Sequence, residues 1–260
     1  MSRRMMMKTT LTAFALLLAL VCAARAQTSR APYGLPAGAL VVETRPLELG
    51  GAKQRALVLW MLRPKKEPFQ GTDEDIYTCP DQTRGSHYTG PTRVSLVDTA
   101  ARRVVNTVKV IEDDADEFDV PYSIRAGGYY HVEGAAEGKS GKPQIMWLRD
   151  YNGDGRALEF ALFDAQACMG LETALFGYSE KSDRVIQYPV SLETTDAEGK
   201  KSAQVFMWAD YLFSKGPVAP GRWEYEVDYR GRGGTLDRYA VRYNAAAERF
   251  EGTLSSTPEQ

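Results

Sequence analysis

The sequence predicts an all-β fold built from antiparallel strands. Stretches of five to eight residues rich in Val, Tyr, Phe and Trp run through the chain, Gly, Pro, Asn and Asp separate them, and segments with helical periodicity are nearly absent. In the clearest strand, RWEYEVDYR at 222–230, aromatic and apolar residues alternate with charged ones. Because successive side chains of a strand point to opposite faces, we expect one face of this strand in the core and the other in solvent.

The first 26 residues predict a signal peptide. They contain a basic start, MSRRMMMK, an apolar stretch, LTAFALLLALVCAA, and the small-x-small cleavage site Ala24-Arg25-Ala26. Because the apolar stretch is shorter than the roughly 20 residues of a membrane span, we expect an exported, periplasmic or extracellular chain that does not span a membrane. The general secretory and twin-arginine routes both fit, and Cys22 leaves lipidation as an alternative.

Removal of this segment leaves a mildly acidic chain. Residues 1–26 hold four of the 32 Lys and Arg and none of the 34 Asp and Glu, so residues 27–260 have a net charge of −6. Nucleic acids and anionic membranes attract concentrated positive charge, and neither is therefore an expected partner. RGRGG at 230–234 is interpreted as a glycine turn instead.

We expect residues 27–260 to form a single all-β domain that contains three similar units. Each unit begins with a Trp strand (LVLWML, QIMWLRD or QVFMWAD) and ends with a hairpin (VSLVDTAARRVVNTV, ALFGYSEKSDRVIQYPV or YAVRYNAAAERFEGTL). An arginine opens the returning arm of each hairpin: Arg103, Arg184 and Arg249. Antiparallel four-stranded units are typical of propeller blades, and a two-sheet β-sandwich is the alternative. The units lie near 55–110, 143–190 and 203–254.

The stretch RDYNGDGRALEF, at 149–160, has the spacing of a metal-binding loop. Asp150, Asn152 and Asp154 are two residues apart around a glycine bend, so their oxygens can point at a common centre, and the carbonyl of Arg156 can add another. Calcium takes about six to eight oxygen ligands, and the spacing therefore predicts one Ca²⁺. A bare β-turn is the alternative, since Asn-Gly and Asp-Gly favour turns, but a turn does not require Asp150.

LRDYNGDGRALEF resembles the D-x-N-G-D-G loop of integrin-type propeller blades, the repeats called FG-GAP or VCBS. The resemblance covers about one blade, 143–190, and implies that the loop joins the first two strands of a blade and binds calcium with a further acid at the ninth position. Here the ninth position is Leu158, and the acid, Glu159, follows one residue later. Either the bend is wider by one residue and Glu159 reaches the ion, or water completes the shell. An EF-hand would require an acid at the twelfth position, which is Ala161.

No catalytic motif is evident in the sequence. His87 and His131 do not form a zinc motif, and Cys79 and Cys168 either pair in an oxidising compartment or remain free thiols. We therefore expect a non-enzymatic exported β-repeat protein with one calcium ion and a structural or interaction role towards a protein or glycan at the cell envelope. The alternative is a carbohydrate-binding protein or a glycoside hydrolase that uses carboxylates such as those of EDDADEFD at 112–119.

Overall fold

The computed structural model describes residues 32–68, 86–110, 121–125, 145–166 and 170–258. These residues form fifteen β-strands, paired mostly antiparallel, and three short 3₁₀ helices, so the prediction of an all-β fold is confirmed. The strands are β1 (Ala39–Pro46), β2 (Arg55–Leu62), β3 (Lys65–Pro68), β4 (Ser86–Asp98), β5 (Arg103–Lys109), β6 (Pro121–Arg125), β7 (Glu159–Gln166), β8 (Gly170–Ser179), β9 (Arg184–Tyr188), β10 (Val190–Thr195), β11 (Lys201–Phe206), β12 (Ala209–Asp210), β13 (Arg222–Asp228), β14 (Thr235–Asn244) and β15 (Arg249–Pro258). The 3₁₀ helices are Pro32–Gly34, Leu212–Ser214 and Arg230–Arg232.

Several sequence-based expectations concern other parts of the chain. The predicted signal peptide at 1–26, Cys79, Cys168, the acidic run at 112–119 and His131 lie outside the described residues. Within the described ranges, no helix is long and apolar enough to cross a membrane.

The first sheet contains β1 to β6 and is organised around the long strand β4. The second half of β4 pairs with β2 and β5, and its first half pairs with β3 and β6. Strand β2 is buried on both faces: Leu57, Leu59 and Met61 pack into the main core, and Ala56, Val58 and Trp60 pack into a smaller one. Burial on both faces explains why β2 is an unbroken apolar run without alternation.

The second sheet is the middle layer of the molecule. Its central strand β8 pairs with β7 on one side and with β9 and β12 on the other. Phe160 and Phe176 on one face of this sheet pack into the core shared with the first sheet. Ala161 and Leu175 on the other face pack into the core shared with the third sheet. The second sheet therefore contributes to both large cores.

The third sheet has the order β11-β10-β15-β14-β13. Strands β10 and β15 run parallel, and the other neighbours run antiparallel. The alternation predicted for 222–230 is confirmed in β13, where Trp223 is buried and its neighbours Arg222 and Glu224 are exposed. The chain passes from the second sheet to the third at Pro189, which has no N–H to continue a ladder.

The three predicted hairpins are present, and their turns share one geometry. Four residues separate the paired ends of the arms: Asp98 and Arg103, Ser179 and Arg184, and Asn244 and Arg249. In each turn the first of these residues accepts a backbone hydrogen bond through its side-chain oxygen, from Ala101, Ser182 and Ala246 respectively. The last turn residue has a positive φ in all three: 51° at Arg102, 51° at Asp183 and 48° at Glu248. The three hairpins are therefore equivalent in structure.

The three tryptophan segments are less alike than the hairpins. Trp60 lies within β2 and Trp208 lies between β11 and β12, and both are 4% exposed, whereas Trp147 is 45% exposed. The segment that contains Trp147 joins β7 through a bridge between Arg149 and Glu159. In the third predicted unit, near 203–254, β13 pairs with β14, whereas β11 pairs with β10, a strand outside that unit. The propeller arrangement of the three units stays a prediction.

Polar contacts join the turns of neighbouring sheets. Arg55 donates to Asp98 in the first turn at 2.8 Å and to Asp183 in the second at 2.9 Å. Lys181 Nζ, in the second turn, donates to the carbonyl of Ala246 in the third at 3.1 Å. The β8–β9 turn therefore lies between the other two.

Candidate calcium-binding loop

The candidate loop, 150–158, leads into β7 at one edge of the second sheet. Backbone hydrogen bonds close its base, from Arg149 N to Glu159 O at 2.8 Å and from Glu159 N to Arg149 O at 3.3 Å. Extended segments therefore enter and leave the loop, where an EF-hand would have helices.

Asp150 holds the bend in shape. Its Oδ1 accepts hydrogen bonds from the backbone N–H of Gly153 at 2.7 Å and of Asp154 at 3.1 Å, and its Oδ2 accepts one from Gly155 at 2.8 Å. Gly153 and Gly155 have φ values of 79° and 85°, a backbone conformation that glycine adopts without steric cost. Asp150 and the two glycines therefore together fix the backbone conformation of the bend.

The structure brings Asn152, Asp154 and Glu159 together. Asn152 Nδ2 donates to Asp154 Oδ2 at 3.1 Å and to Glu159 Oε1 at 3.0 Å. Glu159 Oε2 accepts a hydrogen bond from Tyr151 N at 3.1 Å. Glu159 therefore reaches the interior of the loop although it lies one residue beyond the position that the FG-GAP resemblance implies.

Arg156 has two separate connections. Its backbone N–H donates to Asp154 Oδ1 at 2.8 Å, and its carbonyl, the predicted ligand, accepts a hydrogen bond from Leu158 N at 3.1 Å. A carbonyl oxygen has two lone pairs, so this one retains capacity for a second partner. The guanidinium of Arg156 pairs with Glu180 in the β8–β9 turn. The loop is thereby joined to a hairpin tip.

In the described part of the chain, no group of three or more His, Cys, Asp and Glu side chains is arranged to hold a metal ion. In the loop, the amide nitrogen of Asn152 lies between the carboxyl groups of Asp154 and Glu159. A cation could replace this amide nitrogen only if the side chain of Asn152 rotated.

Glu159 is fully buried, and this changes its acidity. Burial raises the pKa of its carboxyl group from the ordinary 4.5 to about 8, and the charges of Asp154 and Asp150 act in the same direction. The hydrogen bond from Tyr151 N opposes the rise in pKa because it stabilises the charged form. At neutral pH the Glu159 carboxyl group is therefore mostly protonated when no cation is bound.

The loop packs backbone to backbone against the third sheet. A Cβ added at Gly153 would lie 2.6 Å from Gly221 N, and one added at Gly221 would lie 2.6 Å from Asn152 O. The carbonyl of Gly221 also accepts a hydrogen bond from Tyr243 N of β14 at 2.8 Å. Sequence reasoning missed Gly221, because its turn-forming sequence does not indicate which distant loop it contacts.

Sequence reasoning also missed a row of acids on the second sheet. Asp164 on β7, Glu172 on β8 and Asp210 on β12 lie directly opposite one another on adjacent strands. Burial, followed by the charge of Asp237, raises the pKa of Asp210. No local pattern indicates this row, because strand register brings the three acids together.

The described residues form an all-β structure of three sheets, with a loop rich in Asp and Gly at the edge of the second sheet. Comparisons with protein-family models, curated proteins and solved structures found no match for this chain.

Proposed function

We propose that this protein is an exported, non-enzymatic β-protein in which one Ca²⁺ in the loop at 150–159 ties the second sheet to the third. One observation supports the proposal above others. The loop that gathers Asp154, Asn152 and Glu159 also contacts the backbone of Gly221 directly. A cation that orders the loop would therefore order this contact between sheets.

The loop offers the ligand chemistry that calcium prefers. Calcium takes about six to eight oxygens at about 2.3–2.6 Å, and the loop provides the carboxylates of Asp150, Asp154 and Glu159, the amide oxygen of Asn152 and the carbonyl of Arg156. In this proposal the Asn152 amide turns its oxygen towards the ion, and the backbone N–H donors to Asp150 hold the bend in place.

Calcium would tune stability without deciding whether the chain folds. Loops with a few carboxylates on exported modules have dissociation constants of about 10⁻⁴ to 10⁻³ M. At about 1 mM free calcium, such affinities stabilise the folded state by about 0.4–1.4 kcal/mol. For a chain of this size, that corresponds to a rise in Tm of roughly 1–5 °C.

Thermal melting in calcium and in EDTA tests the proposal. We expect calcium to raise the Tm of the wild-type protein and the Asp154→Ala variant to lose this rise. Asp196→Ala is the matched control, because Asp196 also accepts two backbone N–H bonds in a turn, from Glu198 at 3.1 Å and Lys200 at 2.7 Å, but lies between β10 and β11. An undiminished rise in Asp154→Ala contradicts the assignment.

The interaction role that we propose uses the surface around this loop. The Arg156–Glu180 pair joins the loop to the β8–β9 turn, and Lys181 joins that turn to Ala246 in the β14–β15 turn. The loop and two hairpin tips therefore form one continuous surface, which in this proposal meets a protein or glycan at the cell envelope.

Export itself is tested by the mass of the recovered chain, which we expect to begin at Gln27.

A carbohydrate-active hydrolase is a second candidate, and the acidic row supports it. Directly opposite residues on adjacent antiparallel strands have Cβ atoms about 5 Å apart, close to the separation of about 5–5.5 Å between carboxyl groups in retaining glycosidases. The raised pKa of Asp210 suits a general acid. Release of nitrophenol from aryl glycosides, lost in Glu172→Gln, would support this candidate; no release across a panel of sugars would count against it.

A further inference from the structure

We propose that the groove beside the calcium loop, between Trp147 and Phe163, binds a sugar ring that has a carboxylate substituent. This inference rests on the proposed interaction role and names the class of ligand. The sugar-binding test is independent of the calcium test.

The groove lies beside the segment that leads into the loop. Alternate residues of this segment, Trp147, Arg149 and Tyr151, line it together with Phe163 of β7 and Phe213 of the second 3₁₀ helix. The groove therefore has aromatic rings on several sides and ends at the calcium loop.

Trp147 is the residue that a sugar would contact first. It is 45% exposed, whereas Trp60, Trp208 and Trp223 are at most 4% exposed. The face of an indole ring is electron-rich and attracts the polarised C–H groups on the flat side of a pyranose. An exposed Trp147 beside a groove is therefore suited to stacking against a sugar ring.

The floor of the groove is fixed by ring contacts behind it. Tyr151 meets Phe213 edge to face at 5.8 Å between ring centroids and stacks on Trp223 at 6.4 Å. Tyr151, Phe213 and Trp223 are all buried. A floor that is already ordered loses little conformational entropy when a ligand binds.

Arg149 supplies the charge that selects the ligand. It is exposed, and among the lining residues in the described chain it alone is charged. A guanidinium binds a carboxylate through two parallel hydrogen bonds. The groove has a volume of about 30 Å³, enough for a small group such as a carboxylate. The sugar ring itself would remain outside the groove, stacked on Trp147. A hexuronate residue of a glycan combines both features.

The outer face of the third sheet has a larger depression but lacks these features. Its volume is about 820 Å³, and its lining contains no aromatic residue. The smaller groove therefore fits the sugar better.

Binding of tetragalacturonate and of the neutral maltotetraose to the mature protein, in millimolar calcium, tests the inference. We expect tetragalacturonate to shift tryptophan fluorescence and to bind at least about tenfold more tightly than maltotetraose. Trp147→Ala and Arg149→Gln should each weaken tetragalacturonate binding by about tenfold or more. Arg242→Gln, which removes an exposed arginine on the third sheet, is the matched control and should bind like wild type.

Three results would overturn the inference: no binding of tetragalacturonate, equal binding of the two sugars, or unchanged binding by both Trp147→Ala and Arg149→Gln. Failure to bind tetragalacturonate while calcium still raises the Tm overturns the sugar site and leaves the calcium loop standing. Sugar binding by a protein whose Tm does not respond to calcium would support the sugar site and contradict the calcium loop.

Discussion

Among single residues, Glu159 makes the stability of the protein depend on pH, because its carboxyl group is buried. Its pKa is raised above the ordinary value, so the native state holds a proton that the unfolded chain releases. The resulting stabilisation is fully present below about pH 4.5 and is lost as the pH rises towards about 8. The pKa of Asp183 is lowered to about 2, mainly by Arg55. Its contribution to stability is therefore lost only below about pH 4, outside the pH range in which Glu159 titrates.

We therefore expect the free energy of unfolding in EDTA to fall between about pH 5 and pH 8, by up to about 1.4 kcal/mol per pH unit. Glu159→Gln should reduce this slope, because glutamine does not titrate. Urea unfolding at several pH values measures both proteins. Equal slopes in the two proteins would show that Glu159 is not buried as a protonated acid.

Gly153 tests the contact between the loop and the third sheet. Gly153→Ala adds a methyl group 2.6 Å from Gly221 N at a φ of 79°. Gly155→Ala has nearly the same backbone strain, at 85°, but nothing within 4 Å. We expect Gly155→Ala to cost about 1–2 kcal/mol from backbone conformation alone, and Gly153→Ala to cost at least about 1 kcal/mol more from overpacking. Equal costs in chemical denaturation would contradict the contact with Gly221.

For single strands and hairpins, the sequence was informative wherever the signal was local. The alternation in RWEYEVDYR identified β13, and the polar turns with a following arginine identified all three hairpins. The parallel pairing of β10 with β15 was not predictable, because the sequence of neither strand indicates which other strand it pairs with. The packing of Gly153 on Gly221 escaped prediction for the same reason.

The equivalent hairpin turns allow a comparison within one molecule. Arg102 and Asp183 have the same φ of 51° at the same turn position, but Asp183 also accepts hydrogen bonds from Arg55 at 2.9 Å and Tyr178 at 2.7 Å. We expect Arg102→Gly to be neutral or stabilising by up to about 1 kcal/mol, because glycine relieves the positive φ. Asp183→Gly should destabilise by about 1–3 kcal/mol, because it leaves Arg55 and Tyr178 without this partner. Thermal unfolding of both variants checks the difference, and equal effects would contradict the role of Asp183.

In the whole molecule, the second sheet connects the other two. One of its faces shares a core with the first sheet and the other shares a core with the third. The candidate loop lies at the edge of this middle layer and touches the turn before β13. The sequence indicated the loop and its residues, but not that the loop bridges two sheets, since that depends on how the sheets stack.

Amide hydrogen exchange with and without calcium tests the central claim most directly, because it reports on the loop and the third sheet separately. We expect calcium to slow exchange at Gly153 and Gly155 in the loop and at Tyr243, whose N–H donates to Gly221 O. Amides of β2, in the first sheet, should be unaffected. Unchanged exchange in the loop at millimolar calcium would contradict calcium binding, and protection of the loop without protection of Tyr243 would contradict the tie between the sheets.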